Sequence, residues 1–282
     1  MHPVLRLLRI GNVLVALAGT VVGGLVAEGR GITMPAGTIV FLLLAAGSTA
    51  LVAAGGNVLN DLGDEATDRR NHPDRPIVTG AIGRGGARRL AAGLFLASVL
   101  LVLPELAVRP EVGIILAVAL ASVFGYEMRW KSRGLPGNAL VALLTAAVFL
   151  YGGAAVGDPV PLVPFALMAF FATLSREVIK DMEDAEGDLD RATLPRTRGL
   201  PAAARWARGM AAGAIVLSPV PLLYLVGFPS VVGIIYLASV LGADALFVLS
   251  VRWLPGRLHA EQGASKIAMT VALLAFLVTA FR

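Results

Sequence analysis

Residues 37–68 read "GTIVFLLLAAGSTALVAAGGNVLNDLGDEATD". Some twenty apolar and small residues pass without a charge into Asn60, Asp61, Asp64 and Asp68. An uncharged run of that length crosses roughly 30 Å of hydrocarbon as a helix. It delivers a ladder of carboxylates, groups that hydrocarbon tolerates poorly, at its exit. The rest of the chain is of the same kind: 57% of its 282 residues are hydrophobic and 15% charged, with a mean hydropathy of +0.78. Soluble domains carry nearer a quarter charged residues. Nine segments are long enough to span, at about 10–27, 37–60, 82–103, 109–126, 136–156, 160–180, 203–226, 229–250 and 264–281. An open strand in lipid would leave backbone groups unpaired, so the segments are expected to be helices. The expected fold class is an all-α polytopic membrane protein with nine transmembrane helices. Small-residue runs such as 45–56 suit close helix packing. The start, "MHPVLRLLRIGN", has no small-residue cleavage site and is expected to be a membrane-anchored N-terminus.

Charge sets the expected orientation. If the N-terminus and every second loop share one side, that side holds 21 of the 24 Lys and Arg, leaving Arg30, Arg109 and Arg282 opposite. The positive-inside rule then places the N-terminus and the long loops in the cytoplasm. An anionic leaflet or an anionic substrate accounts for the basic balance, and no nucleic acid partner is needed. The absence of cysteine excludes disulfides and thiolate metal sites. His2, His72 and His259 are too scattered for zinc.

A second ladder stands 120 residues after the first. In "KDMEDAEGDLDR" (180–191), Asp181, Asp184 and Asp188 repeat the spacing of Asp61, Asp64 and Asp68. Four expected spans separate the ladders, so both emerge on the same side. A duplicated four-helix unit follows, with halves at about 1–130 and 131–250, a ninth helix at about 264–281, and one domain over 1–282. On a continuous helix, offsets of 3 and 7 fall on one face, so each triad lines a face. A lone ladder would read as a solvated loop paired with its own arginines. Two matched ladders at membrane exits read instead as a site.

Oxygen-only donors select hard cations, and Mg²⁺ keeps waters and completes its shell with phosphate. Two facing acidic surfaces, each with one Mg²⁺, would clamp a diphosphate. Arg9, Arg69, Arg75, Lys131, Arg176 and Lys180 stand at span ends on the ladder side, where their charged heads meet phosphate oxygens. Arg84, Arg88, Arg89, Arg205 and Arg208 read as interfacial anchors.

These motifs resemble the UbiA-type intramembrane prenyltransferases. "NDLGDEATD" matches that family's NDxxDxxxD signature and "KDMEDAEGD" its KDxxDxxxD. "RPIVTG" (75–80), "YEMRWKSRGLPGN" (126–138) and "LRIGN" (8–12) resemble further family segments, the second with one extra residue between Tyr and Lys relative to some members. "REVIKDMEDAEGD" followed by "TLP" is most similar to the archaeal digeranylgeranylglyceryl phosphate synthases.

The resemblance implies nine helices as two four-helix halves plus one. It also implies Mg²⁺-dependent transfer of a geranylgeranyl group from its diphosphate to geranylgeranylglyceryl phosphate. Asn60, Asp61, Asp64 and Asp68 would hold one Mg²⁺, and Asp181, Asp184 and Asp188 the other. Arg69, Lys131 and Lys180 would contact diphosphate, with Arg75 and Arg176 beside them, and Arg9 the acceptor phosphate. Tyr126 would face the allylic cation or orient the leaving group. Asn12 and Asn138 are substrate-side candidates with an equal claim to bridging helices. Asp244 in the eighth span is expected to be a hydrogen-bonded structural acid, and Gly19, Gly23 and Gly152 to line a lipid groove. An aromatic acceptor, as in quinone or heme synthesis, is the second reading. A secondary transporter would place its carboxylates near the midplane, and a CDP-alcohol phosphotransferase would need one continuous acidic motif. The expected partners are an isoprenyl diphosphate, a phosphorylated or aromatic acceptor, and the bilayer, with the protein multi-pass in the cell membrane.

Overall fold

The computed structural model describes residues 2–31, 33–185 and 191–282. Among them are nine helices long and apolar enough to cross a membrane, and no strand. They are α1 (Ile10–Glu28), α2 (Ala36–Gly63), α3 (Arg84–Glu105), α4 (Pro110–Arg133), α5 (Leu135–Val156), α6 (Val160–Glu183), α7 (Leu200–Val226), α8 (Val231–Arg252) and α9 (Leu258–Phe281). The spans match the expected nine, with shifted ends. α4 continues to Arg133, and α9 starts at Leu258, six residues before the expected 264. Lys266 lies inside α9, as it does in the expected span.

Glycine and proline set several of these ends. α1 stops where Gly29 turns left-handed (φ +67°) and its amide reaches the Leu25 carbonyl at 3.0 Å, and α5 stops the same way at Gly157 (φ +95°). Each end is also met by an arginine. Arg282 donates to the Val26 carbonyl at 2.6 Å, and Arg109 to the Val156 carbonyl at 3.3 Å. A cation on unpaired terminal carbonyls is favoured by the helix dipole. Two of the three basic residues on the far side are thereby explained as caps.

With lipid on the outside, apolar burial does little to hold helices together, and close packing and interhelical hydrogen bonds do more. α1 and α5 cross backbone to backbone. A Cβ on Gly152 would lie 2.0 Å from the Thr20 carbonyl oxygen, and one on Gly23 2.4 Å from that of Phe149. These two glycines are packing surfaces, which corrects their expected place in a lipid groove. Thr20 and Thr49 share a hydroxyl bond of 2.8 Å between α1 and α2, and Ser48 donates to the Ser98 carbonyl of α3 at 2.9 Å. Phe276 of α9 meets Phe149 of α5 and Phe165 of α6 edge-on, with centroids 5.7 and 4.7 Å apart.

α2 packs on α3 and α6 on α7. α2 and α6 end alike, the Asp64 amide bonding the Asn60 carbonyl and the Asp184 amide the Lys180 carbonyl, each at 2.9 Å. The helix breaks at these acids, which corrects the expectation of one continuous helical face per ladder. After Asp64 the chain restarts as a short helix, Glu65–Asn71.

Candidate active site

The first ladder is gathered by cations rather than by helical periodicity. Asp61 lies in the last turn of α2, Asp64 at its cap and Asp68 on the short helix. Arg75, returning from the following loop, bridges them: it reaches Asp61 at 3.1 Å and makes a short pair with Asp68. Arg9 makes a second short pair with Asp61 and donates to Asn60 Oδ1 at 3.2 Å. It sits between two helical pieces with φ +50°, the one non-glycine residue with positive φ among the described residues. Such strain, where the surroundings hold it, collects at functional positions.

The end of α4 supplies the third side. Residues Tyr126–Trp130 form a wide π turn, in which the Lys131 amide bonds the Tyr126 carbonyl. A π turn is an α-helix carrying one additional residue, so it accommodates the extra residue between Tyr126 and Lys131. It leaves Lys131 2.9 Å from Asp64 and 2.8 Å from Glu127, with its ammonium 5.9 Å from the Tyr126 ring centroid. Asn60 donates to Glu127 at 3.0 Å. Arg191, just past the second ladder, reaches back to Asp64 at 3.1 Å and so ties the two ladder segments together. Ala192 anchors that segment by donating to the Ser132 carbonyl at 2.9 Å. Asp61, Asp64, Asp68 and Glu127 are thus faced by Arg9, Arg75, Lys131 and Arg191. Burial pushes the Asp68 carboxyl above its ordinary range despite the opposing pull of Arg75.

Two of the second ladder's three acids lie among the described residues. Asp181, in the last turn of α6, accepts from Asn138 Nδ2 at 2.7 Å, giving Asn138 a definite partner. Asp184 caps α6, and Asp188 lies outside the described residues. Among the described residues no three acidic or imidazole side chains converge on one point. Among the described residues, arginine and lysine occupy the first ladder's oxygens. The donors are nonetheless all hard oxygens, the type a small divalent cation selects.

Arg69 is placed apart from the site. It is 63% exposed and pairs with Glu65 at 2.9 Å, and Glu65 also makes a short pair with Arg84. These two arginines, Arg69 first, hold the Glu65 carboxyl below its ordinary range. Glu127 and Arg191 are site residues that sequence reasoning missed. Glu127 adjoins a flagged tyrosine, four residues before Lys131, and that spacing was the available signal.

Below the charged cluster lies a cavity of about 1150 Å³. Arg9, Asn12, Asn60, Arg75, Tyr126, Glu127, Arg176, Glu177 and Lys180 line its polar end, and its deeper wall includes Gly19, Leu116, Val148, Met168, Phe247 and Leu273. Pockets for drug-sized ligands occupy roughly 300–1,000 Å³, so this one suits a longer apolar body with an anionic head. Asp244 lines it too, accepting from Ser218 Oγ at 2.7 Å.

Residues 16–279 match the UbiA prenyltransferase family. A digeranylgeranylglyceryl phosphate synthase of Methanopyrus kandleri is 36% identical over 284 residues, covering 99% of each chain. A solved structure concerned with digeranylgeranylglyceryl phosphate synthase in membranes superposes with a TM-score of 0.79 at 30% identity, covering 99% of this chain and 98% of that one. A UbiA homolog from Archaeoglobus fulgidus bound to GPP and Mg²⁺ shares the fold, with a TM-score of 0.67 at 19% identity over 97% of this chain and 99% of the other. This chain is an integral membrane protein and belongs to the UbiA prenyltransferase family.

Proposed function

We propose that the protein transfers a geranylgeranyl group from its diphosphate to the free hydroxyl of geranylgeranylglyceryl phosphate, with Mg²⁺ as cofactor. The observation that carries this reading is the joining of a balanced acid–cation cluster to a long apolar cavity at one mouth. The relatives named for that activity and the Mg²⁺ held by the Archaeoglobus homolog support it. When bound, Mg²⁺ supplies positive charge to the diphosphate oxygens. Asp61, Asp64 and Asp68 would hold one ion, and Asp181, Asp184 and Asp188 a second.

Arg9, Arg75, Lys131 and Arg191, now paired with carboxylates, then turn to the leaving diphosphate, whose developing charge they stabilise. The bond between C1 of the prenyl chain and the diphosphate oxygen breaks, and its electron pair stays with diphosphate. The acceptor hydroxyl oxygen bonds to C1, and its proton passes to a diphosphate oxygen. Tyr126, on the cavity wall with Lys131 over its ring, faces the cationic carbon. No enzyme nucleophile is required, in keeping with the absence of cysteine.

The ladder side faces the cytoplasm of the cell membrane, a placement supported by the excess of basic residues there. The matched ends of α2 and α6, and the pairing of each with its following helix, support a duplicated four-helix unit. Purified protein in detergent with Mg²⁺ and radiolabelled geranylgeranyl diphosphate tests the reading. Product is expected with geranylgeranylglyceryl phosphate and none with 4-hydroxybenzoate; the reverse pattern would favour the aromatic acceptor and refute it.

A further inference from the structure

The described cations of the first cluster are all committed to carboxylates, yet the opposite wall of the same cavity carries cations of its own. α6 and α9 run antiparallel, and two contacts set their register. Glu183 meets His259 at 2.9 Å near the ladder side, and the Phe165 and Phe276 rings lie 4.7 Å apart at the far end. The paired residue numbers sum to 442 and 441, so Lys180 lies level with Gln262, and Arg176 level with Lys266. All four line the cavity.

Lys266 is the exceptional member. It stands eight residues into α9, about 12 Å along the axis at 1.5 Å per residue, with its side chain exposed at the cavity rather than buried in the helix packing. It makes no ion pair among the described residues. Arg176 is half neutralised by Glu177 at 2.8 Å. The acid facing from α8, Asp244, is bonded to Ser218 at 2.7 Å. A second, independent feature lies beside these groups. Thr173, one turn below Arg176 on α6, lines the cavity with 3% exposure, and its hydroxyl has no partner among the described residues. An uncompensated cation and an unpaired buried hydroxyl on adjoining helices call for an anionic, hydrogen-bonding ligand.

We infer that Lys266, with Arg176 and Thr173 beside it, binds the phosphate of the acceptor and so makes the enzyme specific for a phosphorylated acceptor. The inference rests on the function proposed above. It moves the acceptor phosphate from Arg9, which pairs with Asp61 and Asn60 and serves the donor diphosphate, to the α6–α9 wall. The donor diphosphate stays with the first cluster across the cavity.

Steady-state kinetics with geranylgeranylglyceryl phosphate and with unphosphorylated geranylgeranylglycerol test it. Lys266→Met should raise KM for the phosphorylated acceptor about 10- to 100-fold, the loss expected for one charge-assisted contact. KM for the donor should stay within about twofold. Turnover of the unphosphorylated lipid should be unchanged, and Lys266→Arg should recover most of the loss. An equal rise in donor KM, or no change in either, overturns the inference.

A measurement on the wild-type protein needs no folded variant. An amine-acylating reagent, read by mass spectrometry, should be blocked at Lys266 by the phosphorylated acceptor but not by geranylgeranyl diphosphate. Protection by both or by neither overturns it. Should wild type make no product from the phosphorylated lipid while still using another acceptor, the proposed function itself fails, separately from the variant result.

Discussion

Replacing Arg75 with Met removes the side chain that joins Asp61 to Asp68 while keeping an apolar stem in the cavity wall. Asp68 is 5% exposed and Arg75 22%, so the pair lies between the surface and fully buried limits. Exposed pairs contribute about 0–1 kcal/mol, whereas removing one partner of a buried pair costs about 3–5 kcal/mol. Asp61 retains Arg9 after the change, but Asp68 has no other side-chain partner among the described residues. A loss of about 2–3 kcal/mol is therefore expected in the metal-free protein, whereas Asp68→Asn, which removes a buried charge that Arg75 offsets only in part, should lose less.

Arg75→Met leaves the buried Asp68 without its partner as well as breaking the Asp61 contact, so the double variant, which removes that orphaned charge, should lose less than the sum of the two single losses. Reversible unfolding by SDS titration, without Mg²⁺, reads all three. Losses that add within about 0.5 kcal/mol would refute the claim that Arg75 holds the ladder through Asp68. The pH dependence has a definite sign. A carboxyl whose folded pKa is raised binds its proton more tightly when folded, so stability falls as pH rises from the ordinary carboxylate value through the raised one. Without Arg75 the carboxyl rises further, and Arg75→Met should regain stability on acidification through that window. Arg75→Met combined with Asp68→Asn should not.

Asp64→Ala and Asp184→Ala should each abolish turnover while leaving size-exclusion behaviour and helicity intact; near-normal rates in both would break the two-ladder reading. Arg69→Ala should leave donor KM close to wild type, unlike Arg75→Met, because Arg69 turns outward to Glu65. The Glu65 carboxyl is held low by Arg69 and then Arg84, so its small stabilisation is present above the ordinary carboxylate pKa and lost as pH falls through the lowered one. Glu65→Gln should remove that acid-side slope in a pH series of melting curves. Gly152→Ala would set a Cβ 2.0 Å from the Thr20 carbonyl. Forcing α1 from α5 should cost about 1–3 kcal/mol or more in the same SDS titration.

Hydropathy alone located all nine spans, because only a helix about 20 residues long satisfies its backbone in hydrocarbon. The two ladders, their common side and their hard-cation chemistry were likewise legible, since they follow from residue type and spacing. Helical geometry misled where the helix stops. Asp61, Asp64 and Asp68 were expected on one face, yet the chain breaks at Asp64 and the three acids are gathered through cations. Arg69 and Arg75 looked equivalent as arginines after a ladder, but one turns to Glu65 and the other to Asp61 and Asp68. Gly19 and Gly152 looked equivalent as small residues, yet Gly19 lines the cavity while Gly152 abuts backbone.

The sequence by itself determined that this chain crosses a membrane nine times and carries two acid ladders suited to a divalent cation and a diphosphate. Those properties depend on local composition and on distances of a few residues. Only the tertiary structure decided which cation faces which acid, that Arg191 crosses from the second ladder to the first, and that Lys266 and Arg176 share one level of the cavity wall. Such pairings depend on loop paths and on the register of antiparallel helices. Residues far apart in the chain set both, so no local pattern encodes them.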